Sequence, residues 1–362
     1  MHTLILLLSQ NLLNAQDLFN GLEHLFTIPE NYIARFTDNA PVIDGVINSE
    51  EWDKAVWSND FVDIEGDKKP IPTHRTRMKM LWNDTCLYIA TEMVEPHVWA
   101  TLKNHDDIIF RDNDFEVFID PDNNTHQYYE IEVNAFNTIF DLLMPRPYNN
   151  GGNAIINWNL AKLRSAISIK GSLNKSHDKD KSWSVEMAIP FRSVYIGTGE
   201  GTPREGQIWR VNFSRVEWNT DIQDGIYVKS KDSSGRNRPE HNWVWSQQGI
   251  INMHQPERWG YVQFTRRALN EKVNFELPYA EKQKKYLWLC YYRQRSFSGR
   301  NRKYAVSFQE LGIDTSGIVV DGKPNSLQLE ATSRQFMVTI QDENNNMVSI
   351  NDEGLIRYSR NR

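Results

Sequence analysis

The stretch FRDNDFEVFIDPDNN, residues 110–124, decides how this chain is read. Its centre, Phe115-Glu-Val-Phe-Ile119, alternates with a period of two, which is the spacing of a β-strand whose successive side chains point to opposite faces. Phe115, Val117 and Ile119 then share one face, and Glu116 and Phe118 share the other. Acidic residues flank the run, with Asp112 and Asp114 leading in and Asp120, Asp122 and Asn124 leading out. They raise three alternatives: a metal loop, a catalytic pair, or the polar floor of a binding groove.

The same alternation recurs at Tyr128 to Ala135, where Tyr129, Ile131, Val133 and Ala135 face inward, and at Ile208 to Arg215, where Trp209, Val211 and Phe213 do. If the three strands are neighbours, Glu116, Glu132, Asn134, Arg210 and Asn212 share a polar face suited to a hydroxyl-rich ligand. The same pattern also describes a merely solvated face.

Further short alternating runs fill residues 35–264: Arg77 to Trp82, Cys86 to Glu92, Ser182 to Ala188 and Gly260 to Phe264. Gly, Pro, Asn and Asp separate them. The expectation is a mainly β protein, an antiparallel, jelly-roll-like β-sandwich over residues 17–266. After Arg266 the character changes. Apolar and aromatic positions Ala280, Leu287, Cys290 and Tyr291 predict an amphipathic helix over residues 280–295, and four alternating runs between residues 327 and 358 predict a small sheet. Residues 267–362 therefore read as a small C-terminal α+β unit. Its Trp288, Tyr291 and Tyr292 are candidates to dock a protein partner or the sandwich, and its basic run, residues 291–304, reads as solvated loop.

Composition narrows the function. With 41 basic against 47 acidic side chains, a net charge of −6, the chain has no excess with which to neutralise a phosphate backbone, so nucleic acid is not an expected partner. Twelve Trp, 14 Tyr and 16 Phe supply either a β-rich core or flat faces for a ligand. Cys86 and Cys290 alone give no disulfide framework. The opening residues carry a short apolar run ending near Ala15, which reads as a signal peptide over residues 1–16, hence export, and is too short to span a bilayer.

An EF-hand fails the test of spacing. Counting from Asp120, Thr125 stands where Gly is needed and Ile131 where Glu is needed. A different calcium site at Asp120, Asp122 and Asn124 remains an alternative to a plain turn. No Gly-rich phosphate loop, nucleophile elbow or helical zinc pair is present, and His74, His97, His105 and His126 read as surface residues. A glycoside hydrolase acting through outward Glu116, Glu130 or Glu132 stays open as the alternative to a non-catalytic module.

Taken in order, Pro41-Val-Ile-Asp-Gly-Val-Ile-Asn-Ser-Glu-Glu-Trp52, Asp114 to Asp122, Glu130 to Ala135, Trp183 to Phe191, Trp209 to Arg215, Trp243 to His254 and Glu257 to Tyr261 resemble carbohydrate-binding module family 9 and its exported bacterial relatives. The resemblance covers roughly residues 36–265. It implies a β-sandwich that binds a sugar or glycan, linked to carbohydrate breakdown, with two Trp rings clamping a terminal sugar and calcium in a structural part. By position it places the first ring near Phe110, the strand carboxylate at Glu116, polar positions near Glu132 and Asn212, and the second ring near Met253 or His254. Neither ring position is Trp in this chain, so an interaction protein that kept the fold and lost sugar binding is a further alternative. Phe110 offers one flat face, and Trp243, Trp245 and Trp259 are candidates for the other.

Overall fold

The computed structural model describes residues 18–195 and 201–359, so the segment expected to be a signal peptide lies outside the described residues. The chain divides into two compact units, Thr27–Phe275 and a second that joins Glu276–Arg362 to the residues up to Phe26. The boundary expected at residue 266 thus falls at 275, and residues 18–26 pack with the C-terminal unit instead of opening the sandwich. Phe19 and Phe26 explain this, because their rings lie 5.9 Å from those of Tyr286 and Tyr292 respectively.

The larger unit contains β1 (Asn31–Phe36), β2 (Val62–Asp63), β3 (Thr76–Trp82), β4 (Cys86–Val94), β5 (Asp114–Asp120), β6 (Tyr128–Asn134), β7 (Ile139–Met144), β8 (Arg164–Lys170), β9 (Ser182–Pro190), β10 (Ile208–Glu217), β11 (Thr220–Gln223), β12 (Ile226–Lys229), β13 (His241–Val244) and β14 (Gly260–Thr265). Ten of these run in the order β7-β6-β5-β10-β14-β1-β3-β4-β9-β8, with β13 and β2 branching from β10, and β11 and β12 form a separate hairpin. The sheet curls so that its two halves enclose one core. Met78, Met80, Leu87, Ile89 and Val185 from one half share a cluster with Phe115, Val117, Ile131, Val133 and Phe213 from the other. The inward faces assigned from alternation are all in this core. Pairing is antiparallel except at β1, which runs parallel to both β14 and β3 and closes the sheet between its halves.

The opening motif has a physical role. Glu186 on β9 is fully buried, and its carboxylate accepts hydrogen bonds from the backbone N–H of Asp44 (3.1 Å) and Gly45 (2.8 Å) and from the Trp52 indole (2.7 Å). Gly45 is required there. Its φ is +87°, and a Cβ would stand 2.2 Å from the carbonyl carbon of Ile167.

In the second unit, α1 (Tyr279–Asn301) packs on a five-stranded antiparallel sheet of β15 (Val319–Val320), β16 (Lys323–Ala331), β17 (Phe336–Asp342), β18 (Met347–Asn351) and β19 (Ile356–Ser359). The helix outruns its expected end at residue 295, and most of the basic run read as loop is helical, stopping where Arg302 takes a left-handed conformation at φ 56°. Trp288 and Tyr291 are buried in this unit's own core with Val338, Ile340 and Ile350. Their aromatic faces serve packing. Cys86 and Cys290 are both free thiols.

Glu186→Ala would leave three N–H donors, two of them buried, without their acceptor. The expected loss is about 3 kcal/mol or more, read as a lowered urea midpoint with an unchanged slope.

Candidate functional site

The outward face of β5, β6 and β10, readable as a solvated polar floor, is covered. Ile64, Ile109, Val244, Met253 and Trp259 come from segments laid across it and form a second apolar cluster with Phe118, Tyr128, Phe140, Leu142 and Met144. The carboxylates between them are therefore interior groups: Asp114, Glu116, Glu130 and Glu132 are all at most 5% exposed. Register brings them together, since β5 and β6 pair Glu116 with Glu132 and Phe118 with Glu130.

They line a cavity of about 450 Å³. Phe110, Glu116, Glu130, Glu132, Met253 and His254 all border it, and Tyr148 and Glu240 contribute from loops. Among the described residues that line it there is no Lys or Arg. Two rings sit half exposed at its border, Phe110 at 38% and Tyr148 at 46%. The backbone of Phe110 is held from both sides: its N–H donates to Glu132 Oε2 (2.8 Å), and its carbonyl accepts the Trp218 indole N–H (2.8 Å). His254 meets Tyr128 Oη through Nδ1 at 2.9 Å, stands 3.7 Å from Glu130 Oε2 through Nε2, and takes the edge of Tyr148.

Burial dominates the electrostatics. It raises Glu116 to about 7, with Glu240 adding to the rise, and it raises Glu130 to about 8, with Glu116 adding. Asp114 and Glu132 are pushed well above the usual carboxylate range, first by burial and then by their acidic neighbours. Loss of hydration also holds His254 down to about 4, so it is a neutral ring near pH 7. One oxygen each from Asp114, Glu116 and Glu132 lies within 4.8 Å of the others, and Asp114 Oδ2 receives no hydrogen bond. That oxygen set suits a proton, a hard cation such as calcium, or the hydroxyl and amine donors of a ligand.

Five of the eight residues singled out from the sequence meet at this cavity: Phe110, Glu116, Glu132, Met253 and His254. The other three do not line it, because their polar groups are consumed in bracing the backbone. Asn134 donates to Leu102 O and Asp112 Oδ2 and accepts from Phe136 N. Asn212 exchanges hydrogen bonds with the backbone of Ser246, and Arg210 stacks on Tyr261 while donating to Trp259 O. Trp243, Trp245 and Trp259 are buried and present no face to a ligand. Asp120, Asp122 and Asn124 form a turn in which Asp120 Oδ2 accepts Thr125 N (2.8 Å) and Asn124 Oδ1 accepts His126 N (2.7 Å). Tyr148 and Glu240 are the additions that sequence missed. Tyr148 opens a one-turn 3-10 helix and Glu240 sits in a loop, where period-two reading has no purchase.

A family model described as carbohydrate family 9 binding domain-like matches residues 43–266. The chain belongs to that family. No curated protein sequence matches it. Among solved structures it is similar to a candidate carbohydrate-binding protein from Bacteroides uniformis, at 15% identity and a TM-score of 0.50, covering 66% of this chain and all of that one. It is also similar to a family 9 carbohydrate-binding module from Caldicellulosiruptor kristjanssonii, solved in complex with cellotriose and with glucose, at 15% identity and a TM-score of 0.40, covering 68% of this chain and all of that one. Phe110 and Glu116, the positions that the resemblance gave for the first ring and the strand carboxylate, both border the cavity. The family supports carbohydrate binding, and no described helix is long and apolar enough to cross a membrane.

The carboxyl shifts fix a pH dependence. Below the ordinary value of 4.5 Glu130 is neutral in both folded and unfolded chains, and above about 8 it is ionised in both. Between those limits only the unfolded chain has released the proton, so this group's contribution to stability is full at low pH and is lost as pH rises through about 8. Glu130→Gln, which removes the titration, is expected to gain thermal stability over the parent between about pH 5 and 8, by an amount on the order of a few kcal/mol at the upper end. Paired melts across that range check the sign.

Proposed function

We propose that this domain is an exported, non-catalytic carbohydrate-binding protein whose cavity takes the end of a sugar chain against Phe110 and Tyr148, with Glu116, Glu130 and Glu132 accepting hydrogen bonds from it. The observation that carries the reading is the pairing of half-exposed rings with a cluster of carboxyls among whose described lining residues there is no Lys or Arg. Apolar ring faces match the C–H face of a sugar, and carboxyl oxygens match its hydroxyls. The lining sets the class of sugar: neutral or amine-bearing residues fit the carboxyl cluster, and a uronic acid finds no Lys or Arg among the described lining residues to pair with. Calcium belongs in this reading among Asp114, Glu116 and Glu132, not in the turn after β5. Export rests on the N-terminal apolar run, and a link to carbohydrate breakdown follows as the setting for such a module.

A second reading, glycoside hydrolysis, is favoured by one feature. Glu116 and Glu130, held near 7 and 8, have the proton affinity of a general acid.

Calorimetric titration of the full chain with cello-oligosaccharides, chitosan oligosaccharides and oligogalacturonates, with calcium and with a chelator, tests the proposal. The expected outcome is saturable binding of the first two classes and not the third. Phe110→Ala should weaken it about tenfold, roughly 1.4 kcal/mol, and Glu116→Gln should weaken it further. Released reducing ends in the same mixtures would transfer the site to the hydrolase reading. Preference for the oligogalacturonates, or no binding at all, would overturn the proposal.

A further inference from the structure

A second cluster lies on the far side of β7 from the cavity. Phe140 and Leu142 border the sugar cavity, while Asp141, between them in the pleat, points the other way. There it meets His105 and Asp106, from the turn ahead of the Phe110 segment, and Asn159, from the loop ahead of β8.

The hydrogen bonding of His105 carries the argument. Its Nδ1 lies 2.9 Å from the carbonyl oxygen of Ile139, which only accepts, so Nδ1 carries a proton. Its Nε2 also faces oxygen acceptors alone: Asn159 Oδ1 at 2.5 Å, Asp106 Oδ1 at 3.5 Å and Asp141 Oδ1 at 3.6 Å. The Asn159 amide is oriented by its Nδ2 donating to Asn157 O, which leaves the oxygen toward the ring. Asp141 is 2% exposed. Its Oδ2 accepts from Leu160 N, but its Oδ1, like that of Asp106, is shielded from solvent and receives no hydrogen bond. Nε2 and the two unbonded carboxylate oxygens lie within 4.8 Å of one another, a pocket that holds positive charge, whether a second ring proton or a metal ion.

The geometry points to a divalent metal site formed by His105 Nε2, Asp106 Oδ1 and Asp141 Oδ1, of the zinc class, in which the ion replaces the ring's contact with Asn159. One imidazole nitrogen with two carboxylate oxygens is a mixed donor set for a borderline first-row ion, whereas calcium favours six to eight oxygens. The Nδ1–H bond to a backbone carbonyl is the outer contact that fixes the tautomer of a metal-binding histidine. Access is direct, since the His105 side chain is half exposed. The ion would tie the turn at residues 105–106 to β7. No part of this depends on what the cavity binds.

The test uses the full chain after chelator treatment. Zn²⁺ is titrated by calorimetry, and Co²⁺ is followed by its visible absorption. The expected result is one equivalent of Zn²⁺, a raised melting temperature, and affinity reduced on the order of 100-fold in both His105→Gln and Asp141→Asn. His105→Gln changes an exposed side chain, and circular dichroism verifies its fold, so loss of binding there cannot be a loss of structure. Absence of Zn²⁺ binding, binding unchanged in both variants, or displacement of bound Co²⁺ by excess Ca²⁺ would each overturn the assignment.

Discussion

Glu116 and Glu132 stand directly opposite each other on adjacent strands, and both are buried. Like charges in that relation repel, and burial removes the water that would screen them. The arrangement is stable only with protons or a positive or hydrogen-bond-donating ligand among the carboxyls. Among the described residues that line the cavity there is no Lys or Arg, whereas elsewhere the fold pairs its buried acids: Glu95 and Glu217, equally buried, are both bonded by Arg215 at 2.7 and 2.8 Å. The contrast separates a structural acidic pair, neutralised within the fold, from a cluster left for something that comes and goes.

A sheet covered on both faces makes this possible. One face of β5, β6 and β10 builds the main core, and the other is roofed by segments from the 64, 109 and 244–259 regions. Rigid strands set the carboxyls to within the precision of the sheet, while Phe110, Tyr148 and His254 arrive on irregular segments at its edge. That division, a fixed polar floor with rings on loops, is the usual one for a binding site on a β scaffold. The floor itself also anchors a ring, because Glu132 accepts the backbone N–H of Phe110.

Much of this was legible in the sequence, for a stateable reason. Where only one face of a strand is apolar, as at Phe115 to Ile119 or Ile131 to Ala135, alternation identifies the strand and its core face. Where apolar residues stand on both faces in a row it fails: in β7, Phe140, Leu142 and Leu143 are apolar on either side of the sheet and the period of two disappears. The parallel pairing of β1 was invisible because a strand's own pattern does not name its neighbour. Within the site, alternation found the right face but could not distinguish Glu116, aimed into a cavity, from Asn134, Arg210 and Asn212, spent on backbone groups. That difference resides in the roofing segments, which are distant in sequence. His105 read as a surface residue because its exposure is real, and its oxygen neighbours come from residues 141 and 159.

The most direct test of the central claim is methyl NMR with labelled Ile and Met while a sugar oligomer is added. Met253, Ile108 and Ile251 line the cavity, and Ile71, 89% exposed, does not border it and serves as the control. The account predicts shifts in the three cavity methyls and none at Ile71. Saturable shifts confined to methyls away from the cavity would contradict it.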